Sequence, residues 1–248
     1  MDDFANDPYV YENTTILRNL LNIHDQKALE IAEAEISSAN MMLLYEKGFS
    51  NFSTTGVKEI HRALFRDIYD WAGRFRLMNI MKRENILAGK SVWYANVSDI
   101  EHDLDKAWAT INKINWVSLD AKEFAKNLAY NFPALWQAHP FRDGNTRTIV
   151  MMMTFFVEHH GFYFDQELFA ASAGYVRKSF VLACWDEYSE HEHLEKILID
   201  TVSEKPLSQI PSLDVIFTPD RTEVYEKYST EDYTPVPHEY RADDTGVV

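Results

Sequence analysis

The run His139-Pro140-Phe141-Arg142-Asp143-Gly144-Asn145-Thr146-Arg147 gathers a titratable ring, a carboxylate, a glycine and a guanidinium just ahead of a strongly apolar stretch. Pro140 disfavours the α region for the residue before it, so a helix ending at His139 would leave the imidazole at a loop edge. Phe141 serves as the loop's anchor in the core. Gly144 permits positive φ or close backbone approach, and the amides of 144–147 would point outward from the first turn of the next helix. Such a helix mouth binds anions through free N–H donors and partial positive charge, and Arg147 adds a planar cationic fork suited to phosphate oxygens. Asp143 offers a hard carboxylate oxygen that Mg²⁺ accepts while drawing its other ligands from water and phosphates. His139, with an ordinary pKa near ~6.5, can take a proton from an attacking hydroxyl, a contribution on the order of 10²–10⁴ in rate. Base, metal ligand and anion cradle together point to phosphate chemistry. The reading requires an accessible ring and a helix mouth that a ligand can enter.

The elements that position this run read as helices. Leu29, Ala32, Ile36, Ala39 and Leu43 recur at three- and four-residue steps, with Asp25 as N-cap and Gly48 just past the end. The same spacing returns over Val57–Trp71, and again over Ile100–Ile111 behind a Ser98-x-x-Glu101 capping box. Residues 118–138 are helical with a break at Pro133. A very apolar helix follows residue 145 and runs to Gly161; another starts at Asp165 and passes Trp185, and a last one lies near 193–203. Only 75–97 resists this period, and its two β-prone runs around Gly89 suggest a β-hairpin. The fold class is all-α, one domain over 1–203. From Glu204 to residue 248, prolines among acidic and hydroxyl residues suggest a tail or loosely docked extension.

Composition narrows the function classes. A formal net charge of −15 argues against a surface that neutralises nucleic-acid phosphates and favours protein partners. The single cysteine, Cys184, forms no internal disulfide and reads as a buried thiol in a reducing compartment. The start Met1-Asp2-Asp3-Phe4 lacks the basic, then apolar, pattern of a secretory signal, and Ile149–Val157 falls short of the ~20 residues a membrane span needs. A cytoplasmic protein with no membrane segment is expected. Glu158-His159-His160 and His191-Glu192-His193 lack metal-site spacing and read as helix surface; Trp71, Trp93, Trp108, Trp136 and Trp185 read as packing, and Arg142 as solvated.

The 139–147 run resembles the signature of the Fic (Fido) family, His-x-Phe-x-acid-Gly-Asn-x-Arg. The resemblance extends to Ile60–Gly73, which is similar to the helix preceding that family's flap, and to Thr14–Ile36, so it covers roughly residues 10–200. It implies a helical bundle with a β-hairpin flap, here near 80–97, that pairs with an extended target segment beside the active-site loop. It also implies protein adenylyltransfer: the histidine deprotonates a Tyr, Thr or Ser hydroxyl, which attacks the α-phosphate of ATP with Mg²⁺ present. His139 inherits the role of base and Asp143 that of metal ligand. Gly144, Asn145, Thr146 and Arg147 fall on the phosphate-cradling positions, and Lys82 falls where the flap carries a lysine near the nucleotide.

Two positions depart from the family pattern. Thr146 stands where Gly is usual, or Lys in the Doc-like phosphotransferase branch, and Val150 replaces a second arginine that grips the γ-phosphate. Losing one charge-assisted bond of ~1.5–3 kcal/mol would cost one or two decades of affinity. The nearest counterpart of the family's inhibitory helix, Thr222–Lys227, ends in Lys where Gly or Asn is usual. The resemblance therefore suggests restraint in trans by a small antitoxin, as in toxin members, and by analogy DNA gyrase or topoisomerase as target. Two other readings stand beside it: transfer of a different phosphate-containing moiety, and a degenerate Fic-fold binding module.

Overall fold

The computed structural model describes residues 7–185, 188–204 and 234–236. Helix α1 (Gln26–Lys47) is bounded as its sequence suggests: Asp25 Oδ1 accepts from Ala28 N at 2.8 Å, and Gly48, at φ 74°, closes the last turn. Helix α2 (Thr54–Phe65) starts on Ser53, whose hydroxyl accepts from Gly56 N. It ends earlier than the apolar period suggests. Ile68 and Tyr69 both bond back to Phe65 O, so Ile68 and Trp71 reach the core from turns.

Helix α3 (Ile100–Ile111) has the expected extent but no capping box, because the Ser98 hydroxyl donates to Asp99 and leaves the helix amides alone. The box forms one helix later, where Asp120 and Glu123 cap α4 (Ala121–Asn131) reciprocally. Pro133 does divide the next segment, and it stands at the first position of α5 (Pro133–Ala138), where a missing N–H costs nothing. Helix α6 (Asn145–His159) is followed by β2 (Tyr163–Phe164), α7 (Gln166–Ala171), α8 (Ala173–Ala183), α9 (Glu192–Thr201) and β3 (Val202–Ser203), which pairs antiparallel with β2. The single helix expected from Asp165 is thus two, separated at Ser172.

Helix α6 is the axis of the molecule. Every residue from 145 to 157 except Val150 is buried, and the helix is held by contacts with α2 and α5. Each fully buried Ile, Met or Phe there contributes ~1.5–3 kcal/mol. The Met151–Met153 run and the Cys184 thiol lie in this core as expected.

The segment leading from α2 to α3 forms the flap. Strand β1 (Asn79–Met81) is followed by an antiparallel bridge between Arg83 and Ser91, with Glu84 N donating to Lys90 O at 2.8 Å. Arg177 of α8 holds the tip through a two-pronged pair with Glu84 at 2.8 and 2.9 Å. The regular partner of β1 is not the other arm of the hairpin but β4 (Thr234–Val236), from the segment read as a tail. The rest of that tail after Glu204, including the inhibitory-helix candidate Thr222–Lys227, lies outside the described residues. No helix among the described residues is long and apolar enough to cross a membrane.

Candidate active site

His139 closes α5 in the left-handed conformation, φ 43° and ψ 57°, so Pro140 ends the helix with a reversal of the chain. A non-glycine residue pays roughly 1–2 kcal/mol for that backbone, and the surroundings enforce it. Arg76 donates through Nε to His139 O at 2.9 Å, and its backbone N–H donates to Pro140 O at 2.8 Å. Its other guanidinium nitrogens reach the flap carbonyls of Met78 and Ala95. Arg76 is fully buried against neutral carbonyls, and burial brings its pKa down to about 10, so it stays charged at neutral pH.

Among the contacts of the His139 imidazole, one indicates its tautomer. Nδ1 lies 3.2 Å from Trp136 O, and a carbonyl only accepts, so Nδ1 carries the proton and Nε2 keeps the lone pair. A general base needs that lone pair. The exposed loop-edge ring expected from the sequence is not found: His139 is fully buried, with Tyr94 of the flap segment stacked on it at 4.0 Å and Trp136 edge-on at 5.1 Å. The flap's approach, which residue spacing does not encode, closes over the ring.

Below it, the loop is set by two clamps. Asn145 accepts from Phe141 N through Oδ1 and donates to Phe141 O through Nδ2, each at 2.9 Å. His61 of α2 accepts from Gly73 N at Nδ1 and therefore donates from Nε2 to Asp143 O at 3.1 Å, while its ring stacks on Phe141 at 3.7 Å. Burial lowers the His61 pKa to about 3 and keeps it neutral. Gly144 is obligatory, because its φ is 75° and an added Cβ would lie 2.4 Å from the Phe65 ring.

The predicted phosphate ligands divide accordingly. The Gly144 amide donates to Asp143 Oδ1 and so is already engaged. The amides of Asn145, Thr146 and Arg147 have no hydrogen-bond partner among the described residues, although all three residues are buried. A buried donor left unpaired costs about 1–3 kcal/mol, which a bound anion would offset. The Arg147 fork is directed elsewhere: Nη1 donates to Ser37 Oγ at 3.0 Å and Nη2 to the Glu33 carboxylate of α1, with Phe65 beneath the guanidinium at 4.6 Å. A cation this deeply buried requires a paired anion. Burial alone would depress its pKa, but the charges of Glu33 and Asp143 outweigh that and raise it. Tyr69 donates to the other oxygen of Glu33.

Thr146 uses the hydroxyl that glycine would lack to accept the indole N–H of Trp136 at 2.9 Å, leaving its own amide in the mouth. Val150 packs at the edge of the core. Arg142, expected in solvent, is buried and pairs through Nε and Nη2 with Asp7 at 3.1 and 2.9 Å, which fastens the N-terminal segment across the loop. Lys82 is half-buried on the flap, directly after β1. Spacing gave no signal for Glu33, His61 or Arg76 as site residues, since each meets the loop from a distant element.

The sequence model of the Fic/DOC family matches residues 51–157, which span the flap and the whole loop. The chain is 32% identical over 162 residues to protein adenylyltransferase VbhT of Bartonella schoenbuchensis, covering 65% of this chain and 33% of that one. It therefore spans about a third of that relative. It is 29% identical over 162 residues to the probable protein adenylyltransferase y4lH of Sinorhizobium fredii, covering 64% of this chain and 80% of that one. Among solved structures, the BepC protein of Bartonella tribocorum with bound AMPPNP superposes with a TM-score of 0.70 at 25% identity, over 80% of this chain and 97% of that one. The N-terminal Fic domain of a Bartonella quintana Bep effector with bound ADP gives 0.71 at 25% identity, over 78% and 94%. The family match and the helical fold shared with these solved structures identify residues 51–157 of this chain as a Fic/DOC family domain.

Proposed function

We propose that the chain is a protein adenylyltransferase that moves AMP from ATP to a Tyr, Thr or Ser hydroxyl of a target protein. The observation that carries this reading is the set of three amides, 145–147, that have no partner among the described residues at the mouth of α6, close in the chain to a histidine whose Nδ1 faces a carbonyl, which leaves the lone pair of the neutral ring to Nε2. In the reaction, Nε2 takes the proton of the target hydroxyl, the oxygen attacks the α-phosphorus, and pyrophosphate leaves. The unpaired amides receive phosphate oxygens in a site that excludes water. The relatives named adenylyltransferases and the neighbours carrying AMPPNP and ADP support ATP as the donor.

Asp143 suits magnesium, being a hard carboxylate beside the anion mouth, and a bound Mg²⁺ would neutralise phosphate charge there. This reading assigns the nucleoside to the cavity of about 380 Å³ lined by Trp93, Tyr94, Asp103, Tyr130, Asn131 and Gln137, which reaches the loop side only through Tyr94 and Ala138. Tyr94 lines this cavity and also covers His139, so catalysis requires Tyr94 to move off the ring. In this reading Lys82 approaches the nucleotide from the flap, and Arg147 acts through its amide and by shaping the first turn of α6. A cytoplasmic toxin role, a small antitoxin and DNA gyrase or topoisomerase as target rest on family resemblance alone.

The test is the position of the label. Protein-bound radioactivity from [α-³²P]ATP and none from [γ-³²P]ATP is the expected result; label from the γ position alone would make the chain a phosphotransferase, and none from either would favour a binding module.

A further inference from the structure

The flap strand β1 belongs to a sheet of only two short strands, and a strand edge of this kind accepts one extended segment through backbone bonds. Residues of this chain already occupy it. Strand β4 lies antiparallel to β1 with Asn79 opposite Val236, Ile80 opposite Pro235 and Met81 opposite Thr234. The proline fixes how the bonds are shared. Pro235 has no N–H, so Ile80/Pro235 is the non-bonded pair of the ladder, and the exchanged N–H and C=O groups fall on Asn79/Val236 and Met81/Thr234. A proline at the central position would disrupt the other register; here its missing donor faces away from β1. Pro235 therefore also offers no outward donor to a further strand.

We propose that the β1 edge takes one extended segment at a time, and that residues 234–236 are its resident occupant, which any target segment must displace before its hydroxyl can reach His139. The edge accordingly selects segments that offer an N–H opposite Asn79 and Met81 and tolerates proline opposite Ile80. The chain carries its restraint in cis, so no partner in trans is needed to hold the edge. Occupancy of the edge stands independently of the chemistry; its effect on target modification rests on the adenylyltransferase reading.

The experiment uses the full chain and the variant Thr234→Pro/Val236→Pro, which removes the two donors the register uses and lies outside the loop and its clamps. Amide exchange at Asn79 and Met81 is expected to be at least tenfold faster in the variant, with helical amides of α6 unchanged. A fluorescent peptide of residues 230–240 is expected to bind the variant at least tenfold more tightly than the wild-type chain, and the same peptide with both proline substitutions is expected not to bind. Equal exchange at Asn79 and Met81 in the two proteins, or equal peptide affinity for both, overturns the proposal. Neither readout depends on transfer chemistry, so a chain that bound the peptide as described but moved no AMP would overturn the function and leave the occupancy standing.

Discussion

The indole N–H of Trp136 donates to Thr146 Oγ1 at 2.9 Å with both side chains buried, so a residue at the end of the 139–147 loop completes the core beneath it. Thr146→Gly would strand that N–H and place glycine in the first turn of α6. The expected loss is about 2–3 kcal/mol, or a fall in Tm of roughly 4–12 °C for a chain of this size. Thr146→Ser keeps the acceptor and should recover most of it, as thermal unfolding of the three proteins would show. Equal stability of the Gly and Ser forms would refute the role given to this hydroxyl.

Glu33 and Arg147 form a buried pair that ties α1 to the first turn of α6. Truncating Glu33 to Ala leaves a guanidinium with no counter-charge and should cost about 3–5 kcal/mol. Replacing both, Glu33→Leu with Arg147→Met, removes the stranded charge and should cost less than the single change. Urea unfolding of the two variants checks the order, and a double variant weaker than Glu33→Ala would contradict it.

His61 makes stability depend on acid. Burial holds its folded pKa near about 3, below the ordinary 6.5, so the unfolded chain binds the extra proton between those values. Its contribution is complete above pH 6.5 and falls by about 1.4 kcal/mol per unit below it. Unfolding free energy measured at pH 7.5 and 5.5 should drop more for the wild-type chain than for His61→Gln, by roughly 1–1.5 kcal/mol. Parallel losses in both proteins would mean that His61 is not held neutral.

Tyr94 governs access to His139, because its ring lies flat on the imidazole. Diethyl pyrocarbonate should modify His139 slowly in the wild-type chain and at least tenfold faster in Tyr94→Ala, read by mass mapping of the peptide that contains the loop. Rapid modification of the wild-type ring would show that the lid is open in solution.

Much of this is legible in the sequence. Asp25 and Gly48 bounded α1, Pro133 divided its segment, and the 139–147 run named the loop, because caps, prolines and glycines act over a few residues. What spacing could not supply was set by distant elements. Arg147 looks like a phosphate ligand until Glu33, more than a hundred residues earlier, is seen to hold it. Arg142 looks solvated until Asp7 meets it, and β1 looks like half of a hairpin until residues 234–236 pair with it. The loss of a second arginine at Val150 and the presence of Thr146 read as deficits in the sequence; the structure gives Thr146 a partner and Val150 a place in the packing.

The central claim is that His139 is the base for AMP transfer. Wild-type chain and His139→Ala, each incubated with [α-³²P]ATP, Mg²⁺ and a bacterial protein extract, should differ completely in protein-bound label while their affinities for a non-hydrolysable ATP analogue agree within a few-fold. Labelling that persists in His139→Ala would contradict the account.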